Sequence, residues 1–320
     1  MRYKKFGQTD MNVSAMAVGT WAIGGSGWGD DVNDKDSVEA IRAMLDNGVN
    51  FIDTAPVYGC GHAEKVVGEA IKGYDRSKLF ISTKFGLTWP KGPGTGIVKN
   101  ASYANCMREI DESLRLLGTD YVDIYIVHWP DIDTKAPAEE TMRALQDLKK
   151  AGKIRYIGVS NYSIEQIEEI EQFGKVDAQQ PPFSMVNRSM EDLMRWGHEH
   201  GIGNMTYGSL GSGILTGAIR TLPKFDENDL RVTFYDYFKE PKFSRVMELL
   251  KTLDVIAAAH NCPVAQVAVN WSTQNPLADI CLMGVRNARE AVENCAAFDW
   301  TLSDEEIATI NKAIDETVGK

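Results

Sequence analysis

Four polar residues of this sequence carry the groups needed to move a proton to or from a carbonyl oxygen. Asp53 and Tyr58 lie in FIDTAPVYG, Lys84 lies in LFISTKFG, and His128 lies in DIYIVHWP. A free tyrosine has a pKa of about 10, and a nearby ammonium lowers it by favouring the tyrosinate. We therefore expect Lys84 to lower the pKa of Tyr58, and Asp53 to hold Lys84 through a charge-assisted hydrogen bond. His128 is expected to orient the substrate oxygen.

The same four residues exclude several reaction classes. They include no serine or cysteine in a nucleophile motif, and they lack the paired carboxylates of glycoside hydrolases. Tyr58 would act as general acid in reduction and general base in oxidation, so the hydride must come from another molecule. Each side chain taken alone also fits an ordinary structural role. Their joint placement at strand ends favours a functional site. Polar side chains around one opening cost desolvation free energy, and this cost is unexplained if they have no function.

Short apolar segments alternate along the chain with segments of helical periodicity. Two N-terminal segments, RYKKF and MNVSAM, flank the turn-like GQTD and predict a hairpin. Ser163 and Gln166 predict a capping box at the start of one helix. Eight segments are predicted to be strands of one sheet: MAVG (16–19), NFID (50–53), KLFIST (78–83), YVDIYIVH (121–128), IRYIGVS (154–160), DAQQ (177–180), IGNMTYG (202–208) and DICLMG (279–284).

This alternation without a linker predicts an α/β fold, a (β/α)8 TIM barrel with an N-terminal capping hairpin, formed by residues 1–320 as one domain. A doubly wound sheet is the main alternative. However, no G-x-G-x-x-G follows the first strand, and GGSGWG (24–29) has a different spacing. The longest loops, 85–101 and 208–242, both follow strands. We therefore expect them on the carboxyl face, where barrel active sites lie.

Composition limits the partners. A formal charge of −11 disfavours nucleic acid and anionic membrane surfaces as partners. No apolar run of 18 residues and no apolar stretch after the N-terminus occur, so neither a membrane span nor a signal peptide is predicted. Five scattered cysteines without a C-x-x-C pair indicate reduced thiols and a cytoplasmic protein. No metal site is predicted, because His198-Glu199-His200 lacks the H-E-x-x-H spacing.

Five motifs resemble the aldo-keto reductase family: FIDTAPVYG, STK, VHWP, GKIRYIGVSN and MGVRNAREAVENCAAF. They occur in order over nearly the whole chain, and the resemblance is closest to a bacterial branch of general stress proteins and inositol- or sugar-linked reductases. The resemblance implies nicotinamide-dependent interconversion of carbonyls and alcohols, with Tyr58 as the proton donor. It also implies NADP(H) as the cofactor, because Arg286 and Arg289 resemble residues at the adenosine 2′-phosphate; NAD(H) remains the alternative.

The resemblance implies a set of cofactor-binding residues. At the nicotinamide end they are Thr20, Trp21, Asp53, Ser160, Asn161, Gln180 and Tyr207, with Tyr207 stacked on the ring. Along the pyrophosphate they are Gly208, Ser209, Leu210, Ser212 and Gly213, with Leu215 closing over the cofactor. At the adenosine end they are Gly284, Arg286, Arg289, Glu293 and Asn294.

The substrate is expected to enter an aromatic mouth that suits sugars, polyols and apolar carbonyls. Its predicted lining is Trp21, Trp28, Tyr58, Phe85, Trp89, His128 and Trp129. The aromatic segment VTFYDYF (232–238) either closes this pocket or braces the cofactor loop. Two alternatives to an NADP(H)-dependent oxidoreductase of small carbonyls stay open: an NADP(H)-binding redox sensor or regulatory subunit, and a phosphosugar isomerase on the same fold. The oligomeric state is not predicted.

Overall fold

A closed barrel of eight parallel strands forms the centre of the protein. The computed structural model describes residues 1–25, 32–89, 91–92, 96–225, 229, 231 and 234–319. The strands of the described residues are β1 (Tyr3–Lys5), β2 (Asn12–Ser14), β3 (Met16–Gly19), β4 (Phe51–Asp53), β5 (Phe80–Phe85), β6 (Leu87–Thr88), β7 (Val98–Lys99), β8 (Val122–Val127), β9 (Ile154–Ser160), β10 (Ala178–Gln180), β11 (Gly203–Thr206) and β12 (Ile280–Gly284). The barrel order is β3–β4–β5–β8–β9–β10–β11–β12, with β12 paired to β3. The predicted fold is confirmed.

Helices surround the barrel and follow its strands, as the sequence periodicity predicts. Those whose residues are all described are α1 (Asp34–Asp46), α2 (His62–Ala70), α3 (Tyr103–Leu117), α4 (Ala138–Lys150), α5 (Ile164–Glu171), α6 (Glu191–Glu199), α7 (Lys242–Ala259), α8 (Val264–Gln274), α9 (Ala288–Cys295) and α10 (Asp304–Thr317). The predicted capping box of Ser163 and Gln166 is present at the start of α5. Among the described residues, no helix combines the length and the apolar character that crossing a bilayer requires.

The antiparallel β1–β2 hairpin closes the amino-terminal end of the barrel, and its prediction is confirmed. Phe6, in the turn of this hairpin, is fully buried among inward-facing barrel residues. Its ring leaves no room for a side chain at the start of β11, since a Cβ on Gly203 would lie 2.5 Å from Phe6 Cζ. The carboxyl end is therefore the end that remains available for a site.

Ion pairs reinforce the closed end of the barrel. The buried carboxylate of Asp123 accepts hydrogen bonds from Arg76 and from Arg155, each at 2.8 Å, and from the backbone N–H of Ile81 at 2.9 Å. Arg155 also pairs with Asp10 of the hairpin turn at 2.8 Å. These contacts fix the hairpin to the barrel, and they place this charge network at the end opposite to the predicted active site.

Two buried carboxyl groups lie between the barrel wall and helices α2 and α3. Glu64 of α2 accepts a hydrogen bond from Thr83 Oγ1 at 2.6 Å, and Glu109 of α3 accepts one from Asn105 Nδ2 at 2.5 Å. Burial raises the pKa of each carboxyl group from its ordinary 4.5 to about 7. Both groups are therefore largely protonated in slightly acidic solution, whereas their unfolded counterparts are ionised.

We expect Glu64→Gln to stabilise the protein more at pH 8 than at pH 5. Between the unfolded pKa of 4.5 and the folded pKa of about 7, the folded state binds the extra proton, so stability falls as pH rises through this window. Glutamine does not titrate, so the variant lacks this loss of stability. We expect the difference in free energy of unfolding between Glu64→Gln and wild type to be about 1–3 kcal/mol larger at pH 8 than at pH 5.

Urea denaturation at both pH values measures this difference. The exposed Glu39, changed to glutamine, is the matched control, and its relative stability should not vary with pH. Equal behaviour of the two variants would show that Glu64 is ionised in the folded protein throughout this range.

Candidate active site

Three neighbouring strands bring the predicted tetrad together at the carboxyl end of the barrel. Asp53 is the last residue of β4, Lys84 lies near the end of β5, and His128 directly follows β8. Tyr58 lies in the loop between β4 and α2. Because β4, β5 and β8 are adjacent and parallel, their carboxyl ends converge on one part of the rim.

Lys84 is the centre of this group. Its Nζ donates to Asp53 Oδ2 at 2.7 Å, to the carbonyl oxygen of Thr54 at 2.9 Å and to the hydroxyl oxygen of Tyr58 at 3.2 Å. The side chains of Lys84 and Asp53 are both buried. The predicted hydrogen bond between Asp53 and Lys84 is confirmed, and so is the contact of Lys84 with Tyr58.

Further hydrogen bonds hold Asp53 in one orientation. Its Oδ1 accepts from Ser82 Oγ at 2.7 Å and from Gln180 Nε2 at 3.0 Å. Thr20 Oγ1 donates to the backbone carbonyl of Asp53 at 2.9 Å. Thr20 is fully buried, so its side chain supports Asp53 and has no surface for the predicted cofactor contact. The Gln180 amide, predicted to grip a carboxamide, is likewise engaged by Asp53.

The expected lowering of the Tyr58 pKa is wrong for this site. Burial raises the pKa of Tyr58 well above its ordinary value, and the nearby charge of Asp53 raises it further. Burial also lowers the pKa of Lys84, although Asp53 opposes this shift. The ammonium does touch the phenol, but its charge is balanced by the carboxylate beside it, so desolvation decides the direction.

His128 is also uncharged near neutral pH. Burial lowers its pKa well below the ordinary value, and the positive charge of Lys84 adds to this shift. Its ring meets the ring of Tyr58 edge-on, with 5.9 Å between the centroids. Tyr58 and His128 therefore lie side by side, each able to donate a hydrogen bond from an uncharged ring. Two such donors suit the oxygen of a carbonyl group, and the phenol can release its proton to that oxygen.

Aromatic rings from distant parts of the chain form the mouth around Tyr58. Trp21 stacks on Tyr58 at 6.2 Å between centroids, and Phe234 meets Trp21 edge-on at 5.8 Å. The Tyr237 hydroxyl reaches Ser212 Oγ at 3.5 Å. In the described part of the late aromatic segment, Phe234 contacts the mouth and Tyr237 contacts the segment after β11. In the sequence, this position of Phe234 is indicated by the cluster of aromatic residues in the loop after β11.

The other predicted mouth residues have different positions. Trp129 lines a cavity of about 240 Å³ together with Asn161, Gln180 and Tyr207, and Trp89 is partly exposed. The prediction for Phe85 is wrong, because this ring is 1% exposed and stacks on Tyr125 in the core. Side chains alternate along β5, so Phe85 faces the helices when Lys84 faces the barrel interior. Trp28 lies outside the described residues.

The predicted carboxamide residues form one hydrogen-bonded group beside His128. Asn161 Nδ2 donates to the carbonyl oxygen of His128 and to Ser160 Oγ, each at 3.0 Å. Asn161 Oδ1 accepts from the hydroxyl of Tyr207 at 3.0 Å. Ser160 Oγ donates to the carbonyl oxygen of Gln180 at 3.0 Å. Their amide and hydroxyl groups therefore lie next to the tetrad.

The segment after β11 has a backbone that fits a pyrophosphate. Gly208, Ser212 and Gly213 have φ angles of 76°, 52° and 96°, and successive residues in such conformations form concave sites lined by N–H groups. A Cβ on Gly208 or Gly213 would meet no atom within 4 Å, so a ligand has room there. Within this segment Ser209 is buried and Leu210 is partly buried. Leu215 was predicted to close over the cofactor, but its side chain is fully buried in the core.

The adenosine residues predicted from the sequence lie between the exposed Gly284, which ends β12, and the last turn of α9. Arg286 forms an ion pair with Glu290 at 3.1 Å. Arg289 is exposed, Glu293 is partly buried and Asn294 is buried. Glu290 was not among the predicted site residues, and helical spacing gives no signal for this pair, because Arg286 precedes the first residue of α9.

Known proteins are similar to this chain over nearly its whole length. Residues 15–315 match the sequence profile of the Aldo/keto reductase family. The chain is 37% identical to aldo-keto reductase YhdN of Bacillus subtilis (strain 168), over 99% of this chain and 95% of that protein. It is 32% identical to the NADH-specific methylglyoxal reductase of Escherichia coli (strain K12), over 99% of each chain. The glycerol dehydrogenase AKR11B4 from Gluconobacter oxydans has a similar structure, with a TM-score of 0.88 at 32% identity, covering 99% of this chain and 96% of that one.

Proposed function

Because the chain belongs to the aldo/keto reductase family, we propose that it is a nicotinamide-dependent oxidoreductase in which Tyr58 exchanges the proton. One observation carries this assignment. The Tyr58 hydroxyl lies 3.2 Å from Lys84 Nζ, and Lys84 is itself held by Asp53 at 2.7 Å. The open backbone segment at Gly208–Gly213 and the polar group around Asn161 support binding of a nicotinamide dinucleotide.

A bound nicotinamide cofactor supplies or accepts the hydride. In reduction, the Tyr58 O–H and the His128 N–H donate to the substrate oxygen and orient it. As negative charge grows on that oxygen, Tyr58 releases its proton to it. The phenolate that remains is stabilised by Lys84, whose position Asp53 fixes. In oxidation the same phenolate accepts the proton of the alcohol.

Small aldehydes, ketones and polyols are the proposed substrates. Two similar proteins are named for acting on methylglyoxal and on glycerol, which are both small oxygen-rich molecules. The mouth formed by Trp21, Tyr58 and Phe234 supports this class, because aromatic faces pack against the C–H faces of such molecules while the tetrad binds their oxygens. NADP(H) was the predicted cofactor, and its choice over NAD(H) depends on the residues at the start of α9.

Steady turnover tests the proposal. We expect the purified chain to oxidise NADH or NADPH through many cycles with methylglyoxal or glyceraldehyde, and to reduce the oxidised cofactor with glycerol or a related polyol. Loss of the reduced nicotinamide absorbance measures the rate. A single fast turnover followed by no further reaction would favour the regulatory or sensor alternative. Absence of both turnover and nicotinamide binding would overturn the assignment.

A further inference from the structure

The order of the strands indicates the path of a dinucleotide around the barrel rim. The polar group beside the tetrad comes from the ends of β9, β10 and β11. The glycine-containing segment that fits a pyrophosphate follows β11. The next strand in the barrel is β12, which pairs with β11 and leads through Arg286 into α9. A ligand that starts at Tyr58 and crosses this segment therefore reaches the first turn of α9 with its other end.

An internal carboxylate already occupies that first turn. Glu290 Oε1 accepts from Arg286 Nη2 at 3.1 Å, and Glu290 Oε2 accepts from the Arg286 backbone N–H at 3.0 Å. The backbone N–H of Glu290 donates to Asn287 Oδ1 at 2.9 Å. The Glu290 side chain is 34% exposed. Its negative charge thus lies at the helix N-terminus, on the donors that an incoming phosphate would use.

A carboxylate in this place distinguishes the two nicotinamide dinucleotides by charge. A 2′-phosphate would meet the negative charge of Glu290 and an Arg286 whose charge Glu290 already balances. Among the described residues of this turn, Arg289 is the cation that remains to attract it. A ribose 2′-hydroxyl, in contrast, can donate a hydrogen bond to a carboxylate. We propose that Glu290 is a specificity-determining residue, and that it makes this chain prefer NAD(H) to NADP(H). This inference rests on the proposed function and reverses the preference predicted from the two arginines.

Equilibrium binding without turnover tests the inference. Quenching of tryptophan fluorescence gives the Kd of NADH and of NADPH for the wild type and for Glu290→Gln, an isosteric change that keeps an oxygen for the Arg286 N–H. We expect the wild type to bind NADH about tenfold more tightly than NADPH, and Glu290→Gln to tighten NADPH by about tenfold, as removal of one nearby like charge allows. The Kd of NADH should change less than about threefold, since glutamine can still accept from the hydroxyl.

Two controls separate the possible failures. Glu305→Gln removes one exposed carboxylate from the first turn of α10, and it should leave both Kd values unchanged. The nucleotides 2′-AMP and 5′-AMP lack the nicotinamide. Glu290→Gln should tighten the binding of 2′-AMP and leave the binding of 5′-AMP unchanged.

A wild type that prefers NADPH overturns the inference and leaves the proposed oxidoreductase intact. So does an equal effect of Glu290→Gln on NADH and NADPH. Failure of the wild type to bind either dinucleotide overturns the proposed function itself. If Glu290→Gln does not fold, the wild-type ratio and Glu290→Ala decide the question.

Discussion

Replacing Tyr58 by phenylalanine is expected to lower kcat for carbonyl reduction by at least about a hundredfold, the usual contribution of a positioned general acid. The change removes one oxygen atom and keeps the ring that stacks on Trp21 and meets His128. Binding of the reduced nicotinamide should change less than about twofold, because the phenol acts on the substrate oxygen. Steady-state kinetics and fluorescence titration of the same preparation measure the two quantities separately.

Tyr103→Phe is the matched control for this experiment. Its hydroxyl donates to Asp147 on the surface of the helical layer, at 2.9 Å, so the variant loses a hydrogen-bonded phenol far from the tetrad. It should keep the wild-type kcat. If Tyr58→Phe retains more than about a tenth of the activity, general acid catalysis of ordinary size cannot come from Tyr58, and another group must supply the proton.

Lys84→Met is expected to affect stability as well as turnover. Lys84 and Asp53 form a buried ion pair at 2.7 Å, and removing one partner of such a pair usually costs about 3–5 kcal/mol because the other charge stays buried. The variant also lacks the ammonium that stabilises the Tyr58 phenolate, so kcat should fall by at least about a hundredfold. Urea denaturation and steady-state kinetics measure the two effects.

The double variant Asp53→Asn with Lys84→Met separates these effects. It removes both charges, so a large part of the lost stability should return, as happens when both members of a buried pair are replaced. Turnover should not return, since nothing then stabilises the phenolate. Recovery of activity together with stability would mean that Lys84 acts only as a structural partner of Asp53.

Sequence reasoning reached the barrel because the fold depends on patterns that persist over many residues. Short apolar strands alternating with amphipathic helices leave few architectures open, and all eight predicted strands are present. The tetrad was predictable for the same reason. Asp53, Lys84 and His128 are attached to the ends of adjacent parallel strands, so the topology that places the strands also places these side chains.

The direction of single side chains was harder to predict. Phe85 directly follows Lys84, and this step of one residue turns its ring from the barrel interior to the helix layer. Leu215 lies in an irregular loop, where no periodicity indicates which side is buried, and it packs into the core. The ring centroids of Phe234 and Trp21 lie 5.8 Å apart, although more than 200 residues separate the two in the sequence. Only the path of the loop brings these two rings together.

The sequence by itself determined which groups meet at the carboxyl end of the barrel, because strand order and the parallel direction are properties of the whole chain. The tertiary structure alone decided their electrostatic state. The pKa of Tyr58 is raised because burial and Asp53 outweigh the ammonium of Lys84, and the charge of Arg286 is balanced because Glu290 lies against it. Such balances depend on separations of about 3 Å and on the exclusion of water, which residue types and spacing do not specify.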